Sequence, residues 1–550
     1  MAHIHESPIK YEHTNLVDLV LSNPNQKPET HPLYIDARTG ESVTLFRLRR
    51  LIPWIHAGLE RVYDMKKGDC VCVYSPNTIH NGPLYLGALS AGITISPANT
   101  AYVVDELERQ LRMTRAKLIV AHPSNLDIAL KAAQRVGIAP YAVLSIVKDP
   151  QHRVAFWMDV LVDPSSSSPA PIQLSHKESR ETTAYLCFSS GTTGKSKGVM
   201  LSHYNCICMV VETARVGKAW ADPTAVKISL GILPMYHMAG LNRLVQSGVT
   251  SGQTAIVIEK YTPQAMCEAI QRFKVTDVPT APPVLLHLLN SPVVDQYDLS
   301  SIKALNVGSA PSSPDTVRRI MQKFNAPCTQ AYGMTEAAPV VTMQTKDNCI
   351  PESVGRLLDC MQGKVVDPET GKDLPEGSVG EMCVKGPNVM IGYLDDASST
   401  AATIDKDGWL HTGDIARMDP ADGNWYIVDR AKELIKYKGF QVAPAELEGL
   451  LLECPDVADA AVIGIYDDAQ ATELPRAYVV LRHDSRLSKV DAPGAIAAWV
   501  QNRAANHKRL RGGVEILDII PKSPQGKILR KELRQAYQER HKTPALAAKL

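Results

Sequence analysis

The chain has 550 residues, 45% hydrophobic and 21% charged, with a formal net charge of +1. That length exceeds one ordinary domain, so two or more are expected. The balanced charge argues against a nucleic-acid surface or a polybasic membrane patch, and no apolar run approaches a membrane span. The opening MAHIHESPIK lacks the apolar core of a secretory signal. The eleven cysteines include no CxxC pair; Cys70 and Cys72, like Cys206 and Cys208, lie in apolar runs. They read as buried, reduced thiols of an intracellular protein rather than a disulfide or zinc framework.

Short apolar runs alternate with helical patterns over about the first 430 residues, which predicts a large α/β body. Strands are expected at 70–75, 117–122, 141–147, 254–261 and 302–310, and helices near 44–62, 124–136, 263–273 and 314–324. The Ser/Pro-rich stretch 163–175 reads as a linker. A smaller α+β unit follows, with helices near 444–452 and 492–506 and strands at 460–466 and 477–483. The expected division is a body over 1–429, a hinge at 430–432 and a mobile domain over 433–550, with a flexible tail at 541–550. A large body joined to a small lid suits an enzyme with two chemical stages.

Between two apolar runs lies SSGTTGKSKG, residues 189–198. Glycines let backbone amides approach an anion, hydroxyls donate further hydrogen bonds, and lysines add charge. The loop therefore suits a polyphosphate, against the alternative of a flexible surface loop. It is not a Walker A loop, because Ser189 stands where that pattern needs glycine and VMLSH reads as a strand. Downstream, Glu336 follows a glycine-containing turn, as a ligand for a hard cation on phosphate oxygens would. Asp414, in HTGD, is suited to a vicinal diol. Lys527, in PKSPQGKILRKEL, could bridge a carboxylate and a phosphate and lower their repulsion. Taken singly, each could be a cap, a turn or a solvated lysine.

YLCFSSGTTGKSKGVMLSH, AYGMTEAAP, GWLHTGDIA, YIVDRAKELIKYKGFQVAPAELE and PKSPQGKILRKEL occur in this order. Together they resemble the adenylate-forming superfamily of acyl-CoA synthetases, beetle luciferases and peptide-synthetase adenylation domains, with most likeness to the 4-coumarate–CoA ligase-like group. The resemblance implies an ATP-dependent carboxylic acid–CoA ligase that uses ATP, Mg²⁺ and coenzyme A. It implies nucleotide contacts from Ser189, Ser190, Gly191, Thr192, Thr193, Gly194, Lys195 and Lys197, and from Ser309 in the adenine-side GSAP loop. Tyr332 would lie against adenine, Gly333 would form its turn, Thr335 would touch the α-phosphate and Glu336 would hold the metal. Asp414 would bind ribose, Arg430 ribose or phosphate, and Lys432 would be the pivot. Lys436 and Gln441 would serve the nucleotide and the thioester stage, Lys438, Gly439 and Lys260 would contact coenzyme A, and Lys527 would be the adenylation lysine.

His237 would stand between the acid pocket and the approaching thiol. Gly308, Ala331, Ala239 and Arg243 would line the acid pocket. Relatives specific for hydroxycinnamates carry tyrosine where Ala239 stands and a small polar residue where Arg243 stands, so 4-coumarate is not the expected acid. Ala331 also replaces the family's usual glycine. The alternatives are a luciferase-like oxygenase, a carrier-loading adenylation protein and a non-catalytic binding protein. The closing Ala548-Lys549-Leu550 fits a tripeptide read by the peroxisomal import receptor, so peroxisomal location is expected.

Overall fold

The computed structural model describes residues 11–541 apart from 167, 190–195, 221–226, 431–432, 438–439, 468–469, 471 and 524–525. The peroxisomal tripeptide at 548–550 lies outside the described residues.

The body is α/β. Its first sheet has seven strands, with Cys70–Tyr74, Thr94–Pro97 and Leu118–Ala121 parallel at its centre. Every residue of CVCVY (70–74) is buried, as expected of a parallel strand covered on both faces. A second sheet has nine strands. Its parallel centre is formed by Ile228–Gly231, Asp277–Thr280, Ala304–Val307 and Cys328–Gly333. Three expected strands are shorter than their runs: 141–147 yields only Val143–Ser145, 254–261 only Thr254–Val257 and 302–310 only Ala304–Val307. In the second case Ile258, Glu259 and Tyr261 leave the sheet to line a cavity.

Local chemistry sets the covering helices. Pro263–Phe273 begins with the Thr262 hydroxyl accepting from the Ala265 amide, and proline takes the first helical position. It buries Met266, Cys267, Ala269 and Ile270, one apolar stripe at helical spacing, and ends at left-handed Lys274. Pro314–Phe324 repeats the design, with Ser313 as cap and left-handed Asn325 after its last turn.

An antiparallel sheet of Gln362–Val366, Gly380–Lys385, Leu410–Met418 and Trp425–Arg430 follows. Beyond it, residues between Ile435 and Leu533 form an apolar core of their own. This is the small α+β lobe, built on Val457–Asp467, Thr472–Leu481 and Val514–Ile516. A buried ion pair, Arg530 to both oxygens of Glu448 at 2.8 and 2.7 Å, ties its last helix to Pro444–Leu452. The lobe meets the body where the Asp429 carboxylate accepts from the Ala445 amide at 2.9 Å. It meets it again where Gly526 packs on Pro283: a Cβ at 526 would fall 2.3 Å from the proline ring.

All eleven cysteines are free thiols, and only Cys349 is partly exposed. Among the described residues no helix is long and apolar enough to cross a membrane.

Candidate functional site

The stretch SSGTTGKSKG starts and ends in two paired strands. Thr183–Ser189 runs antiparallel to Lys197–Ser202, with Ser189 opposite Lys197. Ser190, Gly191, Thr192, Thr193, Gly194 and Lys195 lie outside the described residues. Glu336, 6% exposed, accepts at Oε1 from the Ser189 hydroxyl at 3.0 Å and from the Tyr393 hydroxyl at 3.0 Å. The Lys197 ammonium sits 4.7 Å from the centre of the Tyr393 ring, within cation–π reach. Burial, together with the Glu336 charge, pushes the Tyr393 phenol well above its ordinary pKa, so it stays a donor.

Several residues expected to contact the nucleotide lie at the C-terminal end of the Cys328–Gly333 strand of the nine-stranded sheet. Tyr332 and Gly333 end the Cys328–Gly333 strand, and Thr335 opens the 3₁₀ turn that carries Glu336. Gly333 has no room for a side chain: a Cβ there would lie 1.8 Å from the Pro339 carbonyl oxygen. The Tyr332 hydroxyl donates to Asp414 at 2.6 Å across 82 residues of sequence. Asp414 is itself braced. The preceding Gly413 amide donates to Glu381 at 3.0 Å, and His411 shares the other Glu381 oxygen at 3.1 Å. Arg430 lies opposite Asp414 in the strand register.

A cavity of about 760 Å³ lies between the body and the small lobe. Tyr236, His237, Ala239 and Ser309 line it from the body. Ser309 holds φ of +70°, which turns the chain sharply after Gly308. His237 begins the Met238–Gly240 helix, and burial lowers its pKa to about 4, so its imidazole is neutral at pH 7. Asn77 fixes the segment leading to it: its amide donates to the Gly231 and Leu233 carbonyls, and its oxygen accepts from the Met235 amide. Glu259 and Tyr261 line the far end, with exposed Lys260 between them.

The small lobe completes the cavity wall with Asp459, Lys522, Ser523 and Gly526. Lys527 belongs to the same tight loop, in which its carbonyl accepts from the Ser523 amide at 2.8 Å and its amide donates to the Ser523 hydroxyl. Lys436 lies elsewhere: it is exposed, opposite Gln441 in the Ile435–Tyr437 and Phe440–Val442 hairpin, and is not among the residues lining the cavity. Lys432, Lys438 and Gly439 lie outside the described residues, as do the side chains of Arg430 and Gln441.

The chain matches the AMP-binding enzyme family over residues 22–394 and the AMP-binding enzyme C-terminal domain over 446–527. It belongs to the AMP-binding enzyme family. These are adenylate-forming enzymes, and this chain falls among the AMP-forming acid–CoA ligases. It is 36% identical over 506 residues to 4-coumarate–CoA ligase 1 of Petroselinum crispum, covering 91% of this chain and 90% of that one. It is 35% identical to the 4-coumarate–CoA ligase of Vanilla planifolia over 92% of this chain and 91% of the relative. The ATP-bound crystal structure of MatB from Rhodopseudomonas palustris superposes with a TM-score of 0.83 at 27% identity, covering 96% of this chain and all of the other.

Several partners in this AMP-binding enzyme were not legible in the motifs. Tyr393 arrives from 57 residues beyond Glu336, and Glu381 from 32 before Gly413. Arg243 is not among the cavity-lining residues; it pairs with Asp277, a carboxylate 34 residues later.

Proposed function

We propose that this enzyme activates a carboxylic acid with ATP and transfers the acyl group to coenzyme A. In the first half-reaction the substrate carboxylate attacks the α-phosphorus of ATP, an acyl–oxygen–phosphorus bond forms, and pyrophosphate leaves. In the second, the coenzyme A thiol attacks the acyl carbon and loses its proton, and AMP leaves with the bonding pair.

The observation that carries the reading is the position of the Ser523–Lys527 loop on the wall that also holds His237 and Ser309. A cation there meets the two anionic reactants where their charges converge. The phosphate hairpin, with Lys197 at its base, would hold the polyphosphate, and Asp414, aligned by Tyr332, would take the ribose diol. Thr335 would touch the α-phosphate. Magnesium fits the donor set: Glu336 is a buried oxygen ligand at the hairpin base and would hold the ion, which neutralises phosphate charge when bound. His237, neutral and at the cavity wall, would guide the thiol without adding charge. After adenylation the small lobe would turn about 430–432, withdrawing Lys527 and bringing the Lys436–Gln441 hairpin, with Lys438 and Gly439, to the site. Lys260, exposed at the far end, would meet a coenzyme A phosphate.

The test is pyrophosphate release across aryl, short-, medium- and long-chain acids, with and without coenzyme A. Pyrophosphate formation with at least one acid, and an acyl thioester only when the thiol is present, are expected. No pyrophosphate with any acid would sink the reading.

A further inference from the structure

The antiparallel sheet that carries Asp414 has two unlike faces. Met382, Val384 and Leu410 enter an apolar core. Side chains alternate along a strand, so Glu381, Cys383 and His411 share the opposite face. Cys383 and His411 pair directly across the strands Gly380–Lys385 and Leu410–Met418, while Glu381 pairs with Ile415. Two steps on one strand thus oppose four on the other. Gly413, at φ +71°, lies on the longer side, and its amide donates to Glu381 Oε1. Glu381 Oε2 turns instead to the His411 ring.

Two contacts meet at His411 Nδ1: Cys383 Sγ at 3.4 Å and Glu381 Oε2 at 3.1 Å. The three ligand atoms lie within 4.8 Å of one another, and among the described residues no other three histidine, cysteine or carboxylate groups are so placed. A ring nitrogen offers one hydrogen or one lone pair, so two partners compete for it. A cation set between the three would satisfy them all. A tetrahedral zinc ion, with Zn–S of about 2.3 Å and Zn–N and Zn–O of about 2.0–2.2 Å, sets its ligand atoms roughly 3.4–3.6 Å apart. The two contacts at Nδ1 need open by only a few tenths of an ångström to reach that spacing. On the far side of the ring, Nε2 lies 3.8 Å from Asp405 Oδ2, an outer carboxylate that can take the ring proton's charge when a metal holds Nδ1. The other Asp405 oxygen is fixed by the Asp407 and Trp409 amides. Lys364, opposite Cys383 on the neighbouring strand, is engaged by Asp373 at 2.7 Å. Cys383 is buried, while His411 and Glu381 keep 30% and 16% exposure, so an ion can enter from water.

We propose that Glu381, Cys383 and His411 bind a divalent ion of the zinc class, with water as the fourth ligand, at a site distinct from the magnesium position at Glu336. Thiolate and imidazole suit zinc, whereas magnesium takes oxygen ligands. Burial and the Glu381 charge push the Cys383 thiol up to about 12, so binding forms a metal–sulfur bond and releases the thiol proton to solvent. The ion joins two strands and holds Glu381, whose other oxygen carries the Gly413 amide beside Asp414. The strands bring together residues 28 apart in the chain, which is why the cysteine spacings show no metal pattern.

The experiment adds Co²⁺ and then Zn²⁺ to the full chain after treatment with a chelator. One equivalent of Co²⁺ should produce a thiolate-to-cobalt charge-transfer absorption, which Zn²⁺ abolishes and excess Mg²⁺ leaves intact. Zn²⁺ should also raise the melting temperature by a few degrees, because it binds the folded chain. Cys383→Ser should lose both the absorption and the thermal shift while keeping the wild-type circular dichroism. Asp405→Asn, which alters only the outer carboxylate, should weaken Zn²⁺ binding roughly 10- to 100-fold. An absorption that survives Cys383→Ser assigns the metal to another thiol and overturns the proposal. So does a wild type that gives no absorption, or that binds Zn²⁺ no more tightly than Cys383→Ser. Should Cys383→Ser not fold, His411→Gln decides: a lost or much weakened absorption supports the site, and an undiminished one overturns it.

Discussion

Tyr393→Phe deletes one oxygen and tests how the Glu336 carboxylate, the proposed magnesium ligand, is held. The Tyr393 hydroxyl is one of two donors to Glu336 Oε1, and both residues are under 8% exposed, so water cannot readily replace it. A hydrogen bond to a charged group contributes ~1.5–3 kcal/mol. At about 1.4 kcal/mol per tenfold, kcat/KM for Mg-ATP should fall roughly 10- to 100-fold. The ring face that carries Lys197 remains, so the loss reports the hydroxyl alone. Tyr393→Leu removes that face too and should cost more. The assay is pyrophosphate release at limiting Mg-ATP with saturating acid, with a magnesium titration in parallel. If Tyr393→Phe stays within about twofold of wild type across that titration, the carboxylate is not positioned through this hydroxyl.

Lys527→Ala should lose pyrophosphate formation by at least about a hundredfold, the scale of a lost charge-stabilising donor, yet still convert supplied acyl-adenylate and coenzyme A to thioester; equal loss of both half-reactions counts against the division of labour. Because the folded state holds His237 near pKa 4 and the unfolded chain near 6.5, its neutral form contributes stability that is complete above pH 6.5 and lost as pH falls through about 4. Thermal melting across that window should show less acid destabilisation in His237→Gln, and an unchanged pH slope would refute it. Glu381→Ala should raise KM for ATP more than it lowers kcat, since it frees the Gly413 amide beside Asp414, with partial recovery in Glu381→Gln. Glu448→Ala strands Arg530 in the small lobe's core and should cost ~3–5 kcal/mol, read by chemical denaturation.

The elements that carry the chemistry were written locally. The paired apolar strands that flank the glycine-rich stretch and the capped helices after Thr262 and Ser313 each depend on residues close in sequence, and each is found where the pattern predicts. Apolar runs were a weaker guide to strand ends: a run entering a cavity wall, as at Ile258–Tyr261, has the same composition as one that stays in the sheet. The partners were not legible at all. Nothing near Glu336 announces Tyr393, nothing near Arg243 announces Asp277, and nothing near Ser523 announces His237 on the wall of the same cavity. Sequence by itself determined which groups are available, because backbone preference, capping and alternation act over a few residues. Tertiary structure decided which of them meet, because hydrogen bonds and ion pairs are fixed by strand register and by the docking of the small lobe, and both are settled by burial of apolar surface far from the polar groups they align.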